Sequence, residues 1–154
     1  RLSTITGGPP AMVAPRVARY RELTESPEAD WGGAQAPTIG VTAHIYVAHT
    51  DALARGRVAT AFPAYHKHLV SLWERYDTPL PGGGPTLGGD TARALSVQAL
   101  VAGSPSTIRA YLDALVATTG IDYFVGAFQW GDLGAEEAMR SLRLFAAEVM
   151  PAFK

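Results

Sequence analysis

Residues 103–150, GSPSTIRAYLDALVATTGIDYFVGAFQWGDLGAEEAMRSLRLFAAEVM, decide how this chain is read. They spell a helix, a strand and a second helix. Ser104 carries a side-chain oxygen suited to capping, and Pro105 fits a first helical position, where its missing N–H is harmless. Ile108, Tyr111, Leu112, Leu115 and Val116 form one apolar face, and Gly120 ends the helix as a C-terminal cap. Ile121 to Phe128, IDYFVGAF, follows as a strand, with Gly126 placed where a side chain would obstruct a neighbour. Gln129 to Gly134 is a loop. The last helix runs from about Ala135 to Met150, with an expected apolar stripe of Ala138, Leu142, Phe145, Ala146 and Val149. Glu136 and Glu137 suit its positive N-terminal end, Glu136 is spaced to pair with Arg140, and Pro151 stops it.

The same alternation extends upstream. Leu2 to Thr6 suits a short strand, broken by Gly7-Gly8-Pro9-Pro10. Ala11 to Leu23 reads as a helix carrying Val13, Val17 and Tyr20, with Pro15 able to shorten it. Pro37 to Thr50 is the clearest strand; both faces are largely apolar, as a buried parallel strand requires. Thr50-Asp51 opens a helix to about Tyr76 that carries Leu53, Val58, Phe62, Tyr65, Leu69, Leu72 and Trp73, with Gly56 and Pro63 able to kink it. Asp77 to Asp90, DTPLPGGGPTLGGD, has no core pattern and reads as a mobile loop, a lid spanning about 77–95.

Strands alternating with helices imply parallel pairing with right-handed crossovers. About three such strands leave sheet edges open and close no barrel, so residues 1–154 are expected to be part of a larger domain. The chain opens inside a strand, at Arg1-Leu2-Ser3, as either a trimmed complete small protein or the C-terminal portion of a longer chain would, and the pattern favours neither strongly.

Composition limits the function classes. Apolar residues make up 47% and charged residues 18% of 154 residues, enough to bury a core. The net charge of −1 and the lack of a basic block argue against nucleic-acid binding. No apolar run is long enough to span a membrane, and no signal-peptide pattern opens the chain. The absence of cysteine removes disulfides, thiolate metal sites and cysteine nucleophiles, and suits a cytoplasmic protein.

Parallel α/β folds place function at the C-terminal ends of strands. Three places qualify: Thr6-Gly7-Gly8, Ala48-His49-Thr50 and Phe128-Gln129-Trp130. Gly7-Gly8 before a helix could meet a phosphate, although it reads more readily as a turn. Trp130 could stack on a planar ligand or plug the core under the lid, and Gln129 beside it offers an amide. His66 and His68 point about 200° apart on a helix and cannot readily share a metal. His44, in mid-strand, reads as a satisfied core histidine, whereas His49 sits at a strand end. No metal site is expected.

Thr119-Gly120-Ile121-Asp122-Tyr123-Phe124-Val125, Gly126-Ala127-Phe128-Gln129, Gly131-Asp132-Leu133 and, above all, SLRLFAAEVMP at 141–151 resemble the C-terminus of bacterial-luciferase-like flavin-dependent monooxygenases. Gly103-Ser104-Pro105 and Tyr46-Val47-Ala48-His49-Thr50-Asp51-Ala52 are similar to the same family. The resemblance implies the C-terminal part of a (β/α)8 TIM barrel, holding strands six, seven and eight. It implies reduced FMN, or the deazaflavin F420, working with O2 on a small organic substrate. By the same resemblance Ile5, Thr6 and Gly7 lie beside the flavin, and Gln129 and Trp130 lie near the flavin or substrate.

The family's first five strands, with most phosphate contacts and the usual catalytic histidine, have no counterpart here. The catalytic residues are therefore unknown, and activity is expected only in a complete barrel. The expected partners are flavin, substrate, and either an oligomer or the missing barrel portion. A non-enzymatic flavin-binding or partner-assembling remnant is the alternative.

Overall fold

The structure, a computed structural model, describes residues 2–30, 38–79 and 88–153. The elements run β1 (Leu2–Thr6), α1 (Pro10–Thr24), β2 (Thr38–Val47), α2 (Asp51–Arg75), α3 (Thr91–Ser96), β3 (Leu100–Gly103), α4 (Pro105–Thr119), β4 (Tyr123–Ala127) and α5 (Ala135–Glu148), closed by a 3-10 turn at Met150–Phe153. All strand pairing is parallel, as the alternation of strands and helices requires.

β2 is the hub. It bonds to β1 through Thr38–Thr42, to β4 through Gly40–His44 and to β3 through His44–Val47. Residues 40–42 pair with both β1 and β4, and His44 pairs with both β3 and β4. So β4 takes one edge of β2, while β1 and then β3 follow one another along the other. β3 is one strand more than the three read from sequence.

Alternation gives the sheet two faces. On one, Ile39, Val41, Ala43, Ile45 and Val47 pack with Val13 and Val17 of α1 and Ile108, Leu112 and Leu115 of α4; Leu144 and Phe145 of α5 join them. On the other, Tyr46, Leu100 and Ala102 pack with Ala54, Val58, Ala61 and Phe62 of α2 and Ala94 of α3. α2 and α3 cover only the C-terminal end of this second face. Its N-terminal half, with Thr4 and Thr6 of β1 and Val125 of β4, lies exposed.

Local chemistry explains the helix ends. The Thr50 side chain accepts from the Leu53 N–H, Asp90 from Arg93 and Ser104 from Thr107. Gly120 adopts φ 60°, the left-handed cap expected of it. Pro15 does not shorten α1: the carbonyl it leaves unbonded, that of Ala11, is on the exposed side of the helix. α2 continues from Asp51 to Arg75 through Gly56 and Pro63.

Several expected core positions are corrected. Leu53 and Leu72 are 61% and 60% exposed, and Leu69 is exposed too; the buried stripe of α2 uses Ala54, Val58, Ala61 and Phe62. A helix lying close over a sheet places small residues at the contact and turns the larger leucines outward. In α5, Leu142 and Ala146 are exposed, and Ser141 is buried in their place. Residues 80–87 of the expected lid lie outside the described residues. Residues 91–95 of that span lie in α3, which buries Ala94.

Candidate active site

The exposed part of the second face and the loop after β4 together form the candidate site. Register sets its floor. Thr6 pairs with Thr42, Thr42 with Val125, and His44 with Ala127, so these side chains share one face in successive rows. Thr6 is exposed at the end of β1, and Val125, 41% exposed, lies across Thr42 from it. Every strand residue of this face is uncharged. The described strands thus offer hydroxyls and apolar surface for a neutral ring, and no cation for a phosphate.

The expected site residues separate. Thr6 and Gln129 are exposed near this face. Ile5 turns to the opposite face and packs into the helix-covered core. Gly7 donates its N–H to Thr42 O at 2.7 Å, and a Cβ at Gly7 would meet Thr42 O at 3.0 Å and Ala43 Cβ at 3.1 Å. That N–H is thus committed to the sheet, and Pro9 and Pro10 have none to give.

Trp130 is 6% exposed and sends its indole N–H toward Ile45 O at 3.4 Å. It fills the space between the sheet and α2. The loop that carries it is docked by Gly131, at φ 60°, where any Cβ would collide with the Ala61 carbonyl.

His44 and Tyr65 carry no mark in sequence that separates them from packing residues. The His44 ring stands 4.4 Å from the Tyr65 ring, tilted by 52°, and 5.8 Å from Trp130, edge-on. Tyr65 in turn lies 6.2 Å from Trp130 and 6.0 Å from Phe62. Both rings are half-buried. Neither makes a hydrogen bond to another described residue, and their polar atoms reach solvent, so His44 is half-buried rather than a core histidine. Burial lowers its pKa below the ordinary 6.5 and raises that of Tyr65. His49 is exposed, at the bend after β2.

Charged contacts brace the rim. Arg57 of α2 bonds Glu137 of α5 and Asp132 of the preceding loop. Tyr46 donates to Glu137 Oε1 at 3.0 Å; burial, then this bond, push its hydroxyl up to about 12. Asp51, at the start of α2, accepts from the Ser104 N–H at 2.7 Å and the Thr107 hydroxyl at 2.8 Å. These bonds, led by the one from Ser104, hold its carboxyl below the ordinary value. No group of three or more His, Asp or Glu among the described residues could hold a metal ion. No helix among them is long and apolar enough to cross a membrane.

Two clefts lie elsewhere, along the outer strands. One of about 630 Å³ borders β3, between Leu100, Ala102 and Tyr111. The other, about 640 Å³, borders β4, between Leu112, Phe124, Phe128 and Phe153.

With this geometry in place, comparison with solved structures shows the fold. The monooxygenase RslO1 from Streptomyces bottropensis matches with a TM-score of 0.69 and 22% identity, over 98% of this chain and 41% of that one. The oxygenating constituent of 3,6-diketocamphane monooxygenase from Pseudomonas putida, a type II Baeyer–Villiger monooxygenase in complex with FMN, matches with a TM-score of 0.59 and 20% identity, over 97% and 42%. Apo-MsnO8 matches with a TM-score of 0.56 and 18% identity, over 94% and 43%. The chain is built like part of these proteins and spans about two fifths of their length. No family model and no curated protein matches its sequence.

Proposed function

We propose that this chain is the C-terminal portion of a flavin-dependent monooxygenase barrel, which uses reduced FMN and O2 to oxidise a small organic substrate. The observation that carries this reading is the fold likeness of 98% of the chain to a monooxygenase. The FMN held by the second neighbour favours FMN over F420. Two further features support it: a sheet face lined by Thr4, Thr6, Thr42 and Val125 and left half open, and clefts beside β3 and β4. Both suit a sheet that continues into further strands.

Reduced flavin, when bound, supplies the electrons that O2 activation needs. In this reading the Thr6 hydroxyl and the Gln129 amide orient the polar edge of the flavin or substrate. Gly7 keeps the backbone low at the end of β1. Trp130 and α2 exclude water from the C-terminal end of the sheet. The phosphate and the proton-transfer groups are held by the rest of the barrel.

The test is the complete barrel, with the coding sequence upstream of Arg1 restored. Expected is oxygen consumption that depends on reduced FMN and falls severalfold in Thr6→Val. A complete protein that binds no flavin and consumes no oxygen would sink the reading. The open outer strands also favour a second reading, an assembly module that pairs with another chain. Size-exclusion mass of the 154-residue chain separates the two, because a stable monomer excludes such pairing.

A further inference from the structure

We propose that the cleft beside β3 captures the carboxyl-terminal tail of a partner polypeptide, added as an extended strand parallel to β3. This goes beyond the readings above and needs no flavin.

The edge of β3 is the first argument. The Ala48 N–H donates to Gly103 O, so Gly103, and by alternation Val101, turn their peptide groups toward β2. Leu100 and Ala102 turn theirs the other way, into the cleft that both residues line. No strand among the described residues pairs with them there. Leu100 and Ala102 are only 1% and 6% exposed, so water satisfies these peptide groups poorly. An open edge of this kind is a template for an added strand, whose main chain supplies both the donors and the acceptors that the edge lacks.

Room and charge define that strand. The cleft holds about 630 Å³, a ligand-sized space. Ala110, Tyr111 and Ala114 of α4 line one side, and Ala92 and Leu95 of α3 line the other. The side chains of an added strand would alternate between these small and apolar walls. Arg55 lines the cleft as well, and its charge acts on Asp51, which accepts from Ser104 and Thr107 just past β3. Arg55 therefore stands at the C-terminal end of the edge. It is exposed and forms no ion pair among the described residues. A tail running parallel to β3 brings its carboxylate to this guanidinium, whereas an antiparallel one would bring its ammonium.

The test titrates the chain with the tripeptide acetyl-Ala-Val-Ala as free acid, read by amide NMR. Expected are saturable shifts led by Leu100 and Ala102. The Kd should rise about fivefold when the peptide carboxylate is amidated or in Arg55→Gln, as losing a partly exposed ion pair implies. N-methylation of the peptide backbone should raise it by a similar factor, about fivefold for one uncharged hydrogen bond. The proposal is overturned by the absence of saturable shifts, by shifts led by β4 in place of β3, by equal affinity of acid and amide, or by undiminished binding in folded Arg55→Gln. Sodium acetate is the control: if it reproduces the shifts at Leu100 and Ala102, the cleft takes an anion alone and the added strand is overturned.

Discussion

Arg57 on α2 holds Glu137 on α5 through two nitrogens, Nε to Oε1 at 2.7 Å and Nη2 to Oε2 at 3.1 Å. The same guanidinium reaches Asp132 Oδ1 at 2.9 Å. One side chain thus ties the helix over the second face to the helix behind the first, beside the loop of Trp130. The pair is partly exposed, so solvent screening limits its worth. Arg57→Met is expected to cost roughly 1 kcal/mol, read from urea unfolding.

The same pair gives stability an acid limb. Burial works against the charged form of Glu137, yet the bonds from Arg57 and Tyr46 hold its pKa below 4.5. The unfolded chain therefore takes up the proton first. This contribution is fully present above about pH 4.5 and is lost as pH falls through the folded value. Glu137→Gln should flatten the stability profile in that window, while wild-type stability falls there.

His44 adds a second limb at higher pH. Burial lowers its folded pKa below 6.5, so the unfolded chain again binds the proton first. Stability is expected to decline as pH drops below about 6.5, until the folded value is reached. Urea midpoints of His44→Phe between pH 7 and 5 should lose this slope; an unchanged slope would place its origin elsewhere.

Two glycines should respond in opposite directions. Gly56 lies inside α2 with open space around it, so Gly56→Ala should stabilise by about 0.5–1 kcal/mol. Gly131 sits at φ 60° with the Ala61 carbonyl where a Cβ would go. Gly131→Ala should destabilise by about 2 kcal/mol and loosen the Trp130 loop. Thermal melts with tryptophan fluorescence check both.

Ser141 provides a buried polar bond. Its hydroxyl accepts from the Val47 N–H at 2.7 Å, at the C-terminal end of β2. Ser141→Ala leaves that donor unpaired and should cost about 1–3 kcal/mol. Faster hydrogen exchange at Val47 would report it.

Much of this architecture is legible in sequence because it is local. Ser104-Pro105 and Gly120 mark their helix by cap chemistry, and the two apolar faces of β2 mark a buried parallel strand. Missed features depend on partners far along the chain. LVAG at 100–103 is too short to show a period and becomes β3 only against β2. Leu53 and Leu72 look like core residues until Ala54 and Ala61 are seen against the sheet. His44 gains its setting from Tyr65 and Trp130, neither of them near it in sequence. Within the candidate site, Thr6 and Gln129 are marked by their place at strand ends, whereas the burial of Trp130 follows from how Gly131 meets Ala61.

The pairing pattern of β2 also has a consequence for assembly. β1, β3 and β4 each pair with β2, and among the described residues none forms a backbone ladder with another. The sheet is wired as a star. No ladder between two outer strands can stand in for the centre, so every partial sheet must contain β2. During synthesis, β1 must wait for residues 38–42 to emerge, and after a nick within β2 all three arms would come free together.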